Sequence, residues 1–318
     1  MSPWQTATRR KFVPIPSKSK GTETPLKFEL SKAGVLGGLY LAIRGSLTGT
    51  ISAPNALGKA CIVRMVRGFL NTGIDLFQFS GPQYHYLIRD HIEDYKDPVP
   101  GSDARSAVAA GAYNLDMYIP IAVSAIDARG LILLQTEQTV MTVHVEFEAD
   151  ATIATGITAH TADVYPYLEL FTLPPAKEDR PAFNVVHQIM AESRVVAAAG
   201  DIEYPWPVGN AYLQMLHGLG FAVAGSDAWS KLLVRSLQTD RLYEYDPKSA
   251  DLEYCRWHGR ARLPGVIPVD LAGSDGLGMY GGDRDVIFSN LVSDIKSVIT
   301  ATAAGTLHSV RRQLVAVE

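Results

Sequence analysis

The apolar positions of this chain fall in short runs, and where a period is visible it is two. The clearest case places Met141, Val143, Val145 and Phe147 on one face of a segment whose other face carries Thr142, His144 and Glu146. Alternation over seven residues predicts a half-buried strand. Further strands are expected in Tyr40–Leu47 (an apolar run broken at Gly45), Ile62–Leu70, Ile74–Phe79 and Tyr118–Val123, the last following a Gly111-Ala112-Tyr113-Asn114 turn region. Helical pattern is confined to Gln83–Tyr95 and Ser249–Trp257, which open after Pro82 and Pro247. Proline suits the first turn of a helix, where its missing N–H costs no hydrogen bond. Many short strands with Gly/Pro punctuation and two short helices predict an all-β sandwich or barrel architecture.

Polar pattern divides the chain. Residues 1–25 carry Arg9, Arg10, Lys11, Lys18 and Lys20 against the single acid Glu23, with four prolines, and no periodic strand is expected before Lys27. Such a segment reads as an extended or disordered basic N-terminal arm. Near the middle, Leu173–Pro181 joins three prolines to four consecutive charges, which excludes it from a sheet interior and makes it a linker. The expected domains are therefore 26–175 and 176–318.

The two parts repeat one another. Leu76-Phe77-Gln78-Phe79 before Pro82 and a helix recurs as Leu242-Tyr243-Glu244-Tyr245 before Pro247 and a helix. Upstream, Val66-Arg67 matches Val234-Arg235, and Tyr40-Leu41 with Gly45 matches Tyr212-Leu213 with Gly218. Downstream, Ile119-Pro120-Ile121 matches Ile267-Pro268-Val269. Four matches in the same order predict a duplicated β domain.

Composition narrows the function. At 47% hydrophobic and 19% charged, the 318 residues can bury a core, and the net charge of −4 argues against a surface that grips nucleic acid throughout. Cys61 and Cys255 are too few for a disulfide framework. The uncharged run Ala33–Ile43 is too short for a membrane-spanning helix, and no apolar stretch follows the N-terminal basic residues as a secretory leader requires.

No enzymatic constellation emerges. Gly276-Leu277-Gly278-Met279-Tyr280-Gly281 fits the dinucleotide fingerprint literally, but strand-like Val286-Ile287-Phe288 follows it instead of a helix. His144 and Glu146 share a strand face and can reach one metal, yet no second histidine stands at the spacing a metal triad needs, and His160 lies 16 residues on. His85 and His91 point to different sides of their helix, and Cys255 and His258 lack a third partner. Ser226 lacks the second glycine of a nucleophile elbow, and Gly58-Lys59 lacks the rest of a phosphate loop. The carboxylate pairs Asp283/Asp285 and Glu146/Glu148 are ordinary for exposed strand positions.

A basic arm and two β domains of like order, each with a helix late in its strand series and joined by a proline-rich linker, resemble the double jelly-roll major capsid proteins of tailless icosahedral viruses, bacteriophages among them. Gly265–Leu271, Arg284–Ile287 and Asn290–Ile295 look like the closing strands of such a domain. The resemblance implies two jelly-roll β-sandwiches with a short helix in each, and pseudo-hexagonal homotrimers packed into an icosahedral shell. It implies no enzymatic activity and no cofactor, a virion location after synthesis in the host cytoplasm, and no sequence-specific nucleic-acid binding. Its partners are the chain itself and neighbouring trimers, with minor capsid and vertex proteins as further candidates. Arg9, Arg10, Lys11, Lys18 and Lys20 are then placed against anionic genome or internal membrane, or under adjacent trimers. Two other classes fit the same pattern: a receptor-binding spike using exposed aromatics such as Tyr204-Pro205-Trp206-Pro207, and a cupin-like metal-dependent enzyme.

Overall fold

The computed structural model describes residues 10–30, 34–70, 73–91, 103–123, 129–134, 140–173, 176, 183–208, 211–236, 243–259, 261–271, 287–288 and 294–316. The first half contributes strands β1 (Arg10–Pro14), β2 (Lys18–Ser19), β3 (Leu26–Glu29), β4 (Val35–Ser52), β5 (Val63–Leu70), β6 (Asp75–Phe79), β7 (Gly111–Pro120), β8 (Ile132–Leu133), β9 (Met141–Phe147) and β10 (Thr155–Phe171). The second contributes β11 (Val185–Val196), β12 (Gly200–Pro205), β13 (Ala211–Leu219), β14 (Trp229–Arg235), β15 (Tyr243–Tyr245), β16 (Val266–Asp270), β17 (Ile287–Phe288), β18 (Lys296–Ala301) and β19 (Gly305–Ala316).

Strand order makes each half a jelly roll. In the first half one sheet runs β1-β10-β4-β7 and the other β6-β5-β9-β3. With β1 and β2 counted together, and the two-residue β8 set aside, these are strands 1-8-3-6 and 5-4-7-2. In the second half the corresponding orders are β16-β13-β19-β11 and β12-β18-β14-β15, which are again 6-3-8-1 and 2-7-4-5. Even the extra strands correspond, because β8 pairs with Val35 and Leu36 at the start of β4 and β17 pairs with Ala211 and Tyr212 at the start of β13. Eight antiparallel strands in this order form a two-sheet jelly roll. All four sequence matches fall on corresponding strands: β4 with β13, β5 with β14, β6 with β15, and β7 with β16. Register refines two of them: Pro120 faces Gly38 while Pro268 faces Leu216, so Tyr40 corresponds to Gly218, six residues past Tyr212. Phe79 faces Val66 while Tyr245 faces Leu232, so Val66 corresponds to Leu232, two residues before Val234.

Three expectations are corrected. The arm contains strand: Arg10–Pro14 pair with Tyr167–Phe171, and Lys18 and Ser19 pair with Val164 and Asp163. Residues 10–19 therefore supply the first strand of the first jelly roll, within a segment whose apolar run, Phe12-Val13, is too short to show a period. Its Pro14 is tolerated because β1 is an edge strand. Gly45 does not break its strand either. A Cβ there would lie 2.3 Å from the Tyr113 hydroxyl and 2.4 Å from the Thr161 carbonyl oxygen, so the glycine makes room for a crossing side chain. Finally, Gly111–Asn114 is strand, since β7 starts at Gly111 opposite Leu47 and buries Tyr113.

The helices follow their prolines. Gln83–Ile88 forms a wide π-helical turn continued by a 3₁₀ turn to His91; positions 92–95 of the expected helix lie outside the described residues. Pro247–His258 is an α-helix with Pro247 at its first position and a reciprocal cap in which Asp246 accepts from the Ser249 backbone while Ser249 accepts from that of Asp246. Most of the linker and all of Gly276–Gly281 also lie outside the described residues. Among the described residues no helix is long and apolar enough to cross a membrane.

Candidate functional site

The feature that sets this fold apart from two tethered sandwiches is the joint between its halves. The second half's first strand, β11, lies parallel to the first half's fifth strand, β6, with Ile189 beside Phe77 and Met190 beside Gln78. The four strands of each half thereby become one continuous sheet. Ile189 and Phe77 are both 1% exposed, and Gly68 makes room for the Phe77 ring, which a Cβ at that position would meet at 2.2 Å. Burial of this kind is worth about 1.5–3 kcal/mol per large apolar side chain.

Polar groups lock the same joint. Gln188 donates to the Asp75 carbonyl at 2.6 Å, and Gln83 donates to the Glu192 carbonyl at 3.2 Å and to the Ser193 hydroxyl at 3.0 Å. The π-helical turn packs on the second half, where Tyr86 stacks on Phe221 at 5.0 Å and Phe221 in turn meets His308 at 4.9 Å. Arg312 of β19 is buried and donates to the Val123 carbonyl of the first half at 3.1 Å. Tyr254 of the second helix donates to the Asp90 carbonyl at 3.1 Å.

Among the described residues, two strands of the joint's type stand last in their sheets. β1, the first half's first strand, ends its sheet, and β15, the second half's fifth strand, ends another. These correspond to β11 and β6, the two strands that meet inside the chain.

The five basic residues singled out in the sequence do not act as one group. Arg9 lies outside the described residues and Arg10 opens β1. Lys11 is exposed on β1. Lys18 forms an ion pair with Glu23, whose carboxyl is held below its usual range by that hydrogen bond. Lys20 reaches Asp150 Oδ1 at 3.0 Å and His160 Nδ1 at 2.8 Å, and Tyr113 completes the cluster with its hydroxyl 2.7 Å from His160 Nε2. Burial pushes the His160 ring below the ordinary imidazole range, Asp150 pulls the other way, and the Lys20 ammonium adds to the downward push.

The histidines weighed as catalytic or metal-binding candidates sit in packed surroundings. His144 meets the Phe69 ring edge-on at 5.0 Å, and Glu146 faces Arg64 at 3.9 Å. His85 and His91 are both buried, with His91 Nδ1 2.7 Å from the Leu87 carbonyl. Ser226 adjoins Asp227, which grips Arg262 with both carboxylate oxygens at 2.9 and 3.0 Å. Burial raises the Cys61 thiol to about 12. Among the described residues no three His, Cys, Asp or Glu side chains gather as a metal site. The aromatics offered as exposed binding surface are a correction: Tyr204 and Trp206 are buried, and the Trp206 indole donates to Ser297 Oγ at 3.0 Å. His217, unremarked in the sequence, spans the second sandwich from Ser309 Oγ at 2.8 Å to Ser297 Oγ at 2.9 Å. β13 is buried on both faces and carries no alternation, so nothing in its pattern marked this histidine.

No protein-family model and no curated protein sequence matches the chain. Solved structures do. The major capsid protein of Sulfolobus turreted icosahedral virus is 12% identical with a TM-score of 0.69, the match covering 97% of each chain. The Faustovirus major capsid protein is 9% identical with a TM-score of 0.60 over 98% of this chain and 91% of that one. Major capsid protein P2 of bacteriophage PM2 is 11% identical with a TM-score of 0.57 over 98% of each. At these identities the likeness is one of fold, and it runs end to end: the chain has the double jelly-roll architecture of these proteins.

Proposed function

We propose that the protein is a structural subunit of an icosahedral viral shell, assembling as a homotrimer of pseudo-hexagonal outline and residing in the virion. The observation that carries this reading is the duplicated jelly roll with its halves fused through β6 and β11. A chain built from two equivalent walls yields six walls from three copies, so hexagonal packing follows from threefold symmetry. The end-to-end likeness in fold to three viral major capsid proteins supports the same role. On this reading the polar clusters around His160 and His217 are architectural and the protein performs no catalysis. Minor shell and vertex proteins are expected neighbours of its trimers.

The test is mass and shape. Light scattering on the purified 34.5 kDa chain is expected to give three times that mass, or particles outright, and electron microscopy is expected to show hexagonal units. A monomer that stays monomeric at high concentration and never assembles would overturn the reading.

A further inference from the structure

Three groups converge on His160. Its Nδ1 lies 2.8 Å from Lys20 Nζ and 2.8 Å from Asp150 Oδ1, and those two atoms lie 3.0 Å from each other. Its Nε2 lies 2.7 Å from the Tyr113 hydroxyl. We propose that His160 is a proton-operated latch on the segment that joins β2 to β3: the neutral ring holds the Lys20 ammonium, and the protonated ring expels it. The latch goes beyond the shell reading, which needs these groups only as architecture, and does not depend on it.

Donor and acceptor roles set the two states. An imidazole nitrogen is either bare and accepts or protonated and donates, an ammonium only donates, and a carboxylate only accepts. With Nδ1 bare, Lys20 donates to the ring and to Asp150 at once, bridging the two acceptors, and the ring's single proton sits on Nε2 facing the Tyr113 oxygen. With both ring nitrogens protonated, the Nδ1–H donates to Asp150 and sets a second positive charge 2.8 Å from the ammonium. The other neutral tautomer also brings two donors face to face. The bare Nδ1 is therefore the form in which Lys20 keeps both partners.

Packing decides which group leaves. The His160 side chain is fully buried and meets the Tyr113 and Phe147 rings edge-on at 5.9 and 6.0 Å, which holds it in place. Asp150 belongs to the one-turn helix Asp150–Ile153, whereas Lys20 is a long side chain, 24% exposed, on the segment after β2. Lys20 therefore swings into water, while its backbone N–H stays on the Ala162 carbonyl at 2.7 Å and β2 stays paired with β10. The other groups around the ring do not take part. Opposite His160, β4 places Leu47; Tyr113 is a phenol kept protonated by burial; Asp163 accepts from the Ser19 hydroxyl at 2.5 Å. Burial and the Lys20 charge lower the ring and Asp150 raises it, with the net effect downward, so the latch opens in acid below the ordinary 6.5. The coupling is reciprocal: the factor by which the ammonium lowers the ring's proton affinity is the factor by which a proton loosens the ammonium.

The experiment follows hydrogen exchange in the full chain by mass spectrometry, at the His160 ring carbon between the nitrogens and at the backbone of residues 20–25. Ring exchange against pH gives the titration of His160. Lys20→Met is expected to raise its proton affinity about tenfold, which is one pH unit, and Asp150→Asn to lower it. In the wild type, protection of residues 20–25, corrected for the intrinsic pH dependence of amide exchange, is expected to fall by up to about tenfold from about pH 7 to about pH 5, while β9 keeps its protection. His160→Asn supplies an amide oxygen that accepts from Lys20 and takes up no proton, so it is expected to hold the segment equally at both pH values. Lys20→Met is expected to leave the segment loose at both. A Lys20→Met ring that titrates as the wild-type ring does overturns the latch, and so does a wild-type segment equally protected at both pH values. Those two readings decide the matter even where His160→Asn does not fold. A chain that shows both shifts and never assembles overturns the shell reading alone.

Discussion

Lys20 Nζ lies 3.0 Å from Asp150 Oδ1, an ion pair that fastens the segment after β2 to the one-turn helix Asp150–Ile153 preceding β10. Asp150 stays ionised below its usual range: burial opposes this, but hydrogen bonds from His160 and Lys20 outweigh it. The two side chains are 24% and 39% exposed, so solvent screens the pair and its net worth is about 1 kcal/mol. Lys20→Met and Asp150→Asn are expected to lower thermal stability by that modest amount, and the double variant by less than the sum. Additive losses would show that the pair is not coupled.

Removing residues 1–20 is expected to damage the first sandwich, because the deletion strips β1 and β2 from β10 and exposes a new sheet edge. Calorimetry and sedimentation of the truncated chain should show a lower melting temperature and aggregation. An unchanged melt would return this segment to the status of a loose tail.

Stability is expected to fall in mild acid. Burial lowers His217 to about 3 and His308 to about 4, and it pushes His85, His160 and His187 below the ordinary imidazole value of 6.5. Below 6.5 the unfolded chain takes up protons that the folded chain refuses, so stability is full above that pH and is lost as pH falls toward 4. Chemical denaturation at stepped pH should show this slope, and His217→Gln should flatten it by about one proton. A stability that is flat from pH 7 to 4 would contradict the neutral buried rings.

One substitution separates packing from propensity. Gly45→Ala would ordinarily stabilise a strand by about 0.5–1 kcal/mol. Here the Cβ meets Tyr113 and a backbone oxygen, so a loss of about 1–3 kcal/mol is expected.

Phe77→Ala should cost about 3–5 kcal/mol because the ring fills the joint between the halves. Tyr243→Ala at the corresponding position should cost less, since that ring is only half-buried. Equal losses in denaturant titrations would argue against the difference in burial.

Why some of this was legible in the sequence and some was not follows from what each element depends on. β9 was readable to the residue because one of its faces meets the core and the other meets water, so Met141, Val143 and Val145 alternate with polar neighbours. The repeat was readable because Leu76–Phe79 and Leu242–Tyr245 are each pinned between a turn and a helix-starting proline. β1 was not, since its partner lies at the far end of the first half and it carries only two adjacent apolar side chains. The continuation of β4 through Gly45 was hidden for a related reason: the glycine answers to Tyr113, which is distant in sequence. The joint itself left no periodic trace, because β6 buries Leu76 and Phe77 on opposite faces and so reads as a plain apolar run.

The pairing of β1 with β10 also sets a timetable for synthesis. Arg10 faces Phe171, so β1, once synthesised, waits for roughly 160 more residues, about 8–30 s at ordinary translation rates. The second half repeats the pattern, with Val185 facing Ala316. Each sandwich closes last with the strand that pairs with its first, so neither can finish folding piecemeal from its N-terminal end. Contacts so far apart in sequence make for slow folding, with sheet edges open in the interval. While many copies are being made at once, the newest chains pass through a stage in which β4, β5 and β6 have been synthesised and β10 has not. Fast production therefore favours conditions, such as lower temperature or chaperone supply, that keep these half-built sandwiches apart until residue 171 arrives.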